Sequence, residues 1–308
     1  MANSASTKQT KAGLTKETRA GFVSLIGRPN AGKSTLMNSL LGENIAMVSQ
    51  KANATRKRSN AIVMHNDTQI IFVDTPGLHE REKVLNQFML DEALKAMGDC
   101  DLIVYLAPIT DSIENYDKFL KLNDSKVKHI IVLSKIDQVS QDKLFKKILQ
   151  YNQFSDSFEA LIPMAVPKKV GHKDLLETIS KLLPASPFLF DPEDLTSELV
   201  RNIYAGFIRE GVFQNVSDEI PYESDVIIEK IQEEKNVDRI IATIIVEKES
   251  QKGIIIGRGG EGIKRIGKYS REKIEMLSGK KVYLDLQVVV KKGWSKDKSY
   301  LQEIGYTS

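Results

Sequence analysis

The first half of the chain alternates short, wholly apolar runs with longer stretches in which apolar residues recur at helical spacing. Unbroken apolar runs are typical of strands buried on both faces of a parallel sheet. They predict strands at 22–26, 70–73, 102–106 and 130–133. The periodic stretches predict helices at 84–97, 143–151 and 175–183. This alternation predicts a doubly wound α/β domain.

The pattern changes after Pro184, Pro187 and Pro192, which interrupt any regular element. Beyond them we expect a helix at 197–213, strands at 224–232 and 239–247, a glycine loop, a helix at 262–277 and a strand at 282–290. This order predicts a smaller α+β domain. We therefore divide the chain into a disordered tail (1–20), a first domain (21–184), a linker (185–197) and a second domain (198–308).

Composition narrows the class of protein. The 308 residues are 28% charged and 41% hydrophobic, and no apolar stretch is long enough to span a membrane. The polar N-terminus lacks the apolar core of a secretion signal, so we expect a cytoplasmic protein. The single cysteine, Cys100, excludes an internal disulfide and favours a buried structural thiol over redox chemistry.

The net charge of +3 conceals an uneven distribution. Residues 251–300 contain thirteen Lys and Arg against five Asp and Glu, a surplus of eight, so the remainder of the chain carries −5. A run of charged residues usually forms only the solvent-exposed face of a helix or strand. Because this surplus surrounds a glycine loop, it favours a nucleic-acid surface.

The sequence GRPNAGKS at 27–34 lies between the first predicted strand and a helical pattern. Glycines let such a loop turn its backbone amides toward an anion at a helix N-terminus. Lys33 would reach the β- and γ-phosphates of a nucleotide, and the Ser34 hydroxyl would bind Mg²⁺. The pattern alone arises by chance in unrelated chains, but the flanking strand and helix favour a phosphate-binding loop.

Two further segments fit a nucleotide site. Asp74 opens the sequence Asp-Thr-Pro-Gly at the end of a predicted strand, where it can bind Mg²⁺ through water while the Gly77 amide senses the γ-phosphate. By itself this sequence is an ordinary strand-to-turn transition. The polar, basic segment 50–58 is either a loop ordered by the γ-phosphate, with Thr55 as a second hydroxyl ligand, or a mobile surface loop without a ligand.

The sequence Ser-Lys-Ile-Asp at 134–137 follows the strand predicted at 130–133. The Asp137 carboxylate can accept hydrogen bonds from the N1–H and 2-amino groups of guanine, and the Lys135 stem would pack on the ring. Together these motifs resemble the translation-factor-like GTPases. Ser134 replaces the usual Asn, which implies weaker base affinity. At 164–167 Pro167 replaces the lysine of the family's Ser-Ala-Lys loop.

The resemblance implies the roles of individual residues. Leu78 stands where Ras-type GTPases carry a water-orienting glutamine, which implies slow turnover that depends on Mg²⁺, sometimes K⁺, and a partner. Asn30 is either a K⁺ ligand or a simple loop hydrogen-bonding residue, and the lone His79 is more typical of an exposed turn than of a base. The implied catalytic residues are Lys33, Thr55 and Gly77, and the implied Mg²⁺ ligands are Ser34, Thr55 and Asp74. The implied GTP and GDP contacts are Gly27, Asn30, Ala31, Gly32, Lys33, Ser34, Thr35, Asp74, Ser134, Lys135, Asp137, Ala165 and Val166.

The glycine loop of the second domain, Gly-Arg-Gly-Gly at 257–260, precedes a basic helix. Glycines let the loop approach a sugar-phosphate backbone, and the apolar run 254–256 would line a groove for about four unstacked nucleotides. The arrangement resembles a type II KH domain. Trp294 is more typical of packing than of base stacking. The predicted RNA contacts are Lys252, Gly257, Arg258, Gly259, Gly260, Lys264 and Arg265.

The two halves together, including the stretch 217–222, resemble the Era family of bacterial ribosome-assembly GTPases. The resemblance implies a monomeric GTP-hydrolysing switch that binds the 3′ end of 16S ribosomal RNA and acts in assembly of the 30S subunit. It also implies peripheral contact with the inner membrane. Two alternatives stay open: a related GTPase serving RNA modification, and an RNA-binding protein whose nucleotide site has decayed.

Overall fold

The computed structural model describes residues 17–43, 45–46, 55–78, 84–216 and 220–306. The N-terminal domain is a six-stranded sheet with helices on both faces. Its strands are β1 (Arg19–Gly27), β2 (Ser59–His65), β3 (Thr68–Asp74), β4 (Leu102–Pro108), β5 (His129–Ser134) and β6 (Ala160–Pro163). Its helices are α1 (Lys33–Leu41), α2 (Val84–Gly98), α3 (Glu114–Leu122), α4 (Gln141–Asn152) and α5 (His172–Leu182).

The strand order is β2-β3-β1-β4-β5-β6, and every neighbouring pair is parallel except β2 with β3. The predicted doubly wound α/β fold is therefore confirmed, but the antiparallel edge strand β2 was missed. It pairs with β3 through a tight turn at Asn66, whose φ of 52° lies in the left-handed region that asparagine tolerates. Its sequence contains an apolar run at 61–64, which comes soon after the polar, basic segment 50–58 and was not assigned to a strand.

The apolar strands form the centre of the N-terminal domain. Strands β3, β4 and β5 are buried along their whole length. Alternate residues of β4 face opposite layers: Val104 packs in one hydrophobic cluster, and Tyr105 packs in the other with α3. Successive strand side chains point to opposite faces, so helices on both faces require apolar residues at every position. This explains why the sequence shows continuous rather than alternating runs.

The C-terminal domain is α+β, as predicted. Its elements are α6 (Val200–Asn215), β7 (Ser224–Gln232), β8 (Val237–Val246), α7 (Glu249–Ile256), α8 (Glu261–Ser278), β9 (Lys281–Val290) and α9 (Lys298–Glu303). The sheet order is β7-β8-β9, with β8 and β9 parallel. Parallel neighbours require a crossover, which α7 and α8 provide.

Helix α7 was not predicted. The sequence suggested only a glycine loop here, because Gly253 and three consecutive isoleucines are poor helix formers. The structure stabilises the first turn instead, since the Gln251 side-chain oxygen accepts hydrogen bonds from the Glu247 and Lys248 amides at 2.9 Å each. The helix ends at Gly257, and the predicted glycine loop begins there.

The domain boundaries differ in detail from the sequence estimate. Strand β1 begins at Arg19, so the last two residues assigned to a tail belong to the sheet, and residues 1–16 lie outside the described residues. The connecting segment is held against the first domain. The Leu195 carbonyl accepts a hydrogen bond from the Ile62 amide of β2 at 2.9 Å, and the Phe190 carbonyl accepts one from the Gln69 side chain at 2.8 Å.

Cys100 is half-buried, and burial raises the pKa of its thiol, which fits a structural role. Among the helices of the described ranges, none combines the length and the apolar character needed to cross a bilayer.

The two domains share an apolar contact. Phe88 and Met89 of α2 pack in one cluster with Ile245, Trp294 and Leu301 of the C-terminal domain. Trp294 is fully buried, and its Nε1 donates a hydrogen bond to the Glu223 carbonyl at 3.3 Å. The expectation that this tryptophan packs rather than stacks on a base is confirmed.

Replacing Trp294 with Ala should lower the free energy of unfolding of the C-terminal domain by about 3–5 kcal/mol, because a large side chain leaves a cavity at the domain contact. Trp294 is the only tryptophan, so the change should be followed in urea by circular dichroism. Met276→Ala, at a side chain 76% exposed on α8 of the same domain, should change the value by less than about 0.5 kcal/mol. Equal effects of the two substitutions would contradict the assigned packing.

Candidate nucleotide and nucleic-acid sites

The loop 27–34 connects the end of β1 to the start of α1, as the sequence predicted. Asn30 and Gly32 both have left-handed backbones, with φ of 61° and 103°. A Cβ on Gly27 would lie 2.7 Å from the Leu106 carbonyl oxygen, so no larger residue fits without movement. The loop therefore turns tightly at the N-terminus of a helix, where backbone N–H groups favour an anion.

Lys33 lies inside this loop. Its Nζ donates hydrogen bonds to the Gly27 and Arg28 carbonyls at 3.3 and 3.2 Å. Burial lowers the pKa of Lys33 to about 8, although the nearby Asp74 carboxylate raises it in part. The ammonium group is thus held by the loop backbone at the centre of the anion site.

Three oxygen-bearing side chains converge beside Lys33. Ser34 Oγ donates to Asp74 Oδ2 at 2.6 Å, Thr55 Oγ1 donates to the same oxygen at 3.3 Å, and the two hydroxyls lie 3.0 Å apart. The Asp74 carboxylate is fully buried, and burial raises its pKa while Lys33 lowers it. Asp74 Oδ1 is buried and has no hydrogen-bond partner within the described residues. Hard oxygens with an unpaired buried carboxylate oxygen fit Mg²⁺.

The strand-to-turn segment after β3 reaches the phosphate-binding loop. A Cβ on Gly77 would lie 2.7 Å from the Pro29 nitrogen, and the Leu78 amide donates to the Gly27 carbonyl at 3.2 Å. Gly77 is therefore required for this close approach. Two parts of the predicted site lie outside the described residues. They are His79 and the first five residues of the polar, basic segment 50–58.

The predicted base-recognition segment is tied to the same loop. Ser134 Oγ donates to the Ala31 carbonyl at 3.0 Å, and Lys135 Nζ donates to the Asn30 carbonyl at 2.8 Å. Ser134 stands where the family usually has an asparagine, whose side-chain amide is absent here. In this structure the serine hydroxyl makes the connection to the loop, and weaker base affinity stays a prediction. Asp137 lies exposed in the short 3-10 helix Ile136–Gln138.

The segment at 164–168 packs next to it. The Ile136 amide donates to the Met164 carbonyl at 3.3 Å, which joins the two segments. Ala165 and Val166 are buried, and Pro167 lies within the short 3-10 helix Val166–Lys168. Thr35, the remaining predicted nucleotide contact, is exposed on the first turn of α1. The described residues of the predicted site thus meet at one edge of the sheet.

This edge is where the sheet topology favours a ligand. Strands β3 and β4 are consecutive in the chain but lie on opposite sides of β1. In open α/β sheets, ligands bind outside the carboxyl ends of the strands at such a reversal. The phosphate-binding loop begins at the carboxyl end of β1, and Asp74 and Ser134 are the last residues of β3 and β5.

The second predicted site is the glycine turn between α7 and α8. Gly257, Gly259 and Gly260 have φ values of 71°, 61° and 79°, and a Cβ on Gly262 would lie 2.5 Å from the Ile255 carbonyl oxygen. A side chain is disfavoured at each of these positions. The N-terminus of the 18-residue helix α8 follows directly.

Basic side chains surround this turn. Arg258, Lys264 and Arg265 are exposed, and Lys252 on α7 is half-buried. The expectation that all of 254–256 lines a groove was wrong, because Ile255 is buried in the core of the domain, whereas Ile254 is 55% exposed. The helical twist of α7 separates these neighbours, and the sequence interpretation had not placed them on a helix.

Two residues were not selected by the sequence interpretation. Arg56 and Lys57 lie next to Thr55, and both side chains contact the C-terminal domain. The only signal in the sequence is their position between the predicted Mg²⁺ ligand and β2. The sequence does not show which basic residues of this segment are buried.

The fold and the first site define a P-loop nucleotide-binding domain, here joined to an α+β domain with the element order of a type II KH domain. A family model described as "50S ribosome-binding GTPase" matches residues 22–135, and a KH-domain model matches residues 219–295. GTPase Era of Campylobacter concisus is 51% identical over 94% of this chain and 100% of that protein. GTPase Era of Helicobacter pylori strain P12 is 51% identical over 94% of this chain and 98% of its own length. The chain belongs to the Era family of GTPases.

Solved structures agree with this assignment. A crystal structure of a variant of Aquifex aeolicus Era bound to GDP and AlF₄⁻ superposes with a TM-score of 0.90 at 31% identity, covering 94% of this chain and 100% of that one. A structure of Era in complex with MgGDPNP and nucleotides 1506–1542 of 16S ribosomal RNA gives the same TM-score, identity and coverage. The two-domain architecture of this chain is that of the family.

The Lys33 environment predicts a pH dependence of nucleotide binding. The free protein loses the Lys33 proton near pH 8, whereas a bound triphosphate stabilises the charged form and raises its pKa. GTP binding should therefore take up a proton near and above pH 8, and GTP affinity should fall as the pH rises through this range. Calorimetry in buffers of different ionisation enthalpy measures the uptake. Proton release, or no exchange, near pH 8 would contradict the assignment.

Proposed function

We propose that this chain is a GTP-driven switch that binds the 3′ end of 16S ribosomal RNA and acts in assembly of the 30S subunit. As an Era-family GTPase it converts GTP and water to GDP and phosphate. One arrangement carries the proposal: Lys33 and the oxygens of Ser34, Thr55 and Asp74 meet at the phosphate-binding loop. The same chain carries a glycine turn flanked by exposed basic side chains.

The chain's own residues have separable roles in hydrolysis. The loop amides and Lys33 bind the phosphates and neutralise their charge. Ser34, Thr55 and Asp74 would hold Mg²⁺, which supplies electrostatic stabilisation of the transferring phosphoryl group. The Gly77 backbone lies against the loop at Pro29, where its amide would sense the γ-phosphate. The Leu78 side chain has no polar atom to orient water, so catalysis here depends on positioning and charge.

The RNA partner is proposed from the family and from the second site. The Era structure with MgGDPNP contains nucleotides 1506–1542 of 16S ribosomal RNA, and its two-domain fold matches this chain. In this chain the side chains of Arg258, Lys264 and Arg265 are exposed around the glycine turn. The space next to Gly259 is open, with no atom within 4 Å of where a Cβ would lie. Such a turn can approach a sugar-phosphate backbone closely, as in KH domains.

Nucleotide state and RNA affinity should be linked. GTP would order the loop around Thr55 and change how the two domains face each other. If GTP alters the affinity for RNA, RNA must alter the affinity for GTP by the same factor. A role as an assembly switch follows from this reciprocity, because hydrolysis would then change the hold on ribosomal RNA.

Three finer parts of the proposal rest on resemblance. K⁺ coordination by Asn30 stays a hypothesis beside a simple loop hydrogen bond, and turnover measured in KCl and in NaCl separates the two. A monomeric state is tested by analytical ultracentrifugation. A cytoplasmic protein with peripheral inner-membrane contact is tested by sedimentation with anionic vesicles.

The alternatives are less well supported. A decayed nucleotide site would not be expected to keep a buried Asp74 with two hydroxyl partners and an unpaired oxygen. A GTPase serving RNA modification would need a second catalytic centre. The relatives that match this chain over nearly its whole length are GTPase Era proteins, which favours the switch.

Guanine selectivity should depend on Asp137. Replacing it with Asn removes an acceptor for the guanine N1–H and 2-amino groups and should weaken GTP binding by roughly tenfold to a hundredfold. Competition titration with a fluorescent GDP analogue measures the affinity for GTP and ATP. Asp142→Asn, an exposed carboxylate at the start of α4, should leave both affinities unchanged. Comparable GTP and ATP affinities in the wild-type chain would show that the base pocket was misassigned.

RNA binding should depend on the glycine turn. Gly259→Asp places a negative side chain where phosphate would approach, so affinity for a 16S 3′-end oligonucleotide should fall by about tenfold or more. Gly279→Asp is a matched control, because Gly279 also has open space around its Cα and a φ of 67°, but lies at the opposite end of α8. Filter binding measures both. Equal losses would indicate a backbone effect and not an RNA surface.

A further inference from the structure

Three consecutive side chains connect the predicted metal site with the C-terminal domain. Thr55 Oγ1 lies 3.0 Å from Ser34 Oγ and 3.3 Å from Asp74 Oδ2. The next two side chains, those of Arg56 and Lys57, reach the other domain. The segment 55–57 therefore contacts the predicted metal site through its first residue and the C-terminal domain through its next two residues.

The Arg56 guanidinium is inserted into the C-terminal domain, and only 1% of the residue is exposed. Its Nη1 donates to the Ser224 carbonyl at 2.7 Å, and its Nη2 donates to the carbonyls of Pro221 at 2.9 Å and Tyr222 at 3.0 Å. A planar group with three backbone acceptors has one orientation. The acceptors lie at the short 3-10 helix Ile220–Glu223 and the start of β7.

Asp225 completes this site. Its carboxylate lies 3.9 Å from Arg56 and 3.3 Å from Arg209, and it accepts a hydrogen bond from the Tyr306 hydroxyl. Burial raises the pKa of Asp225, but the guanidinium groups of Arg209 and Arg56 outweigh this effect and hold it below its ordinary value. The carboxylate therefore stays charged and attracts Arg56. Breaking a buried pair of this kind leaves an uncompensated charge.

Lys57 makes a second attachment. Its Nζ donates to the Ile304 carbonyl at 2.6 Å and lies 4.7 Å from the centre of the Tyr306 ring. The following residue, Arg58, turns back to its own domain and pairs with Glu92 on α2 at 2.9 Å. Within the segment 55–58, the side chains of Arg56 and Lys57 thus contact the second domain.

These attachments constrain Thr55 through the backbone. Adjacent Cα atoms are 3.8 Å apart, so an immobilised Arg56 limits how far Thr55 can lie from the metal site while GTP orders the loop around it. The domains are also joined independently, by the packing of Phe88 and Met89 on Trp294. Loss of the Arg56 contacts therefore does not by itself separate the domains.

From this geometry we infer that Arg56 is a positioning residue for GTP hydrolysis: the C-terminal domain holds its guanidinium and thereby sets the Thr55 hydroxyl against the metal site. The inference rests on the proposed GTPase function. The GTPase domain then depends on its C-terminal partner for the full rate, and the 3-10 helix Ile220–Glu223 is the contact that transmits this dependence.

Single-turnover and steady-state hydrolysis by the full chain test the inference. Arg56→Ala should lower kcat by about tenfold to a hundredfold, because small misplacements of a positioning group have effects of that size. The KM for GTP and the affinity for GDP should change by less than about threefold. The Mg²⁺ concentration for half-maximal rate should rise, since one ligand is less well held. Arg56→Lys should recover only part of the rate, because an ammonium lacks the planar fork.

A double variant separates positioning from general structural damage. If Arg56 acts through Thr55, then Arg56→Ala should have little further effect in a Thr55→Ala background. Arg201→Ala is the control, since Arg201 lies on α6 and donates to the Ile228 carbonyl within the C-terminal domain itself. Its hydrolysis rate should match the wild type.

The outcomes distinguish this inference from the proposed function. A wild-type chain without GTP hydrolysis would refute the proposed function itself. Normal wild-type turnover with an unchanged rate in Arg56→Ala would overturn the inference alone. A loss of the same size with and without Thr55, or a parallel loss of GDP affinity, would also overturn it, because the effect would then not pass through Thr55.

Discussion

A carboxylate hidden from water is the constraint around which the nucleotide site is built. Asp74 has no exposed surface, and an isolated buried charge of this kind would be strongly unfavourable. The Lys33 ammonium and the hydroxyls of Ser34 and Thr55 compensate it in part. One oxygen has no hydrogen-bond partner within the described chain, and a divalent cation would satisfy it. The arrangement of the phosphate-binding loop and the segment at Thr55 both follow from this requirement.

The hydroxyl group of Thr55 beside Asp74 links the nucleotide site to the C-terminal domain through the neighbouring Arg56. Thr55 can contribute its hydroxyl only while the chain beside it is held, and the holding groups lie in the C-terminal domain. That domain presents backbone carbonyls and the charged Asp225 to a buried Arg56. A second buried charge is thus balanced at the interface. The structure places two charge-compensated sites on neighbouring residues, one facing the nucleotide and the other facing the RNA-binding domain.

Much of the fold could be predicted because the hydrophobic pattern is strong where burial is complete. Strands β3, β4 and β5 read as unbroken apolar runs, and their predicted bounds agree with the structure within a few residues. The edge strand β2 and helix α7 were missed for a common reason. Each gives only a short local signal. Pairing with β3 stabilises β2, and the hydrogen bonds that the Gln251 side chain accepts stabilise the start of α7.

The sequence by itself determined the chemistry of this protein: the phosphate-binding loop, Asp74, Asp137 and the basic glycine turn are each local patterns whose spacing specifies their geometry. Tertiary structure alone decided how the parts are connected. It made the Ser134 hydroxyl a brace for the loop at Ala31, it buried Ile255 while leaving Ile254 exposed, and it inserted Arg56 into the other domain. Contacts between residues more than a hundred positions apart leave no periodicity in the chain, because they depend on how packed domains meet and not on local preference.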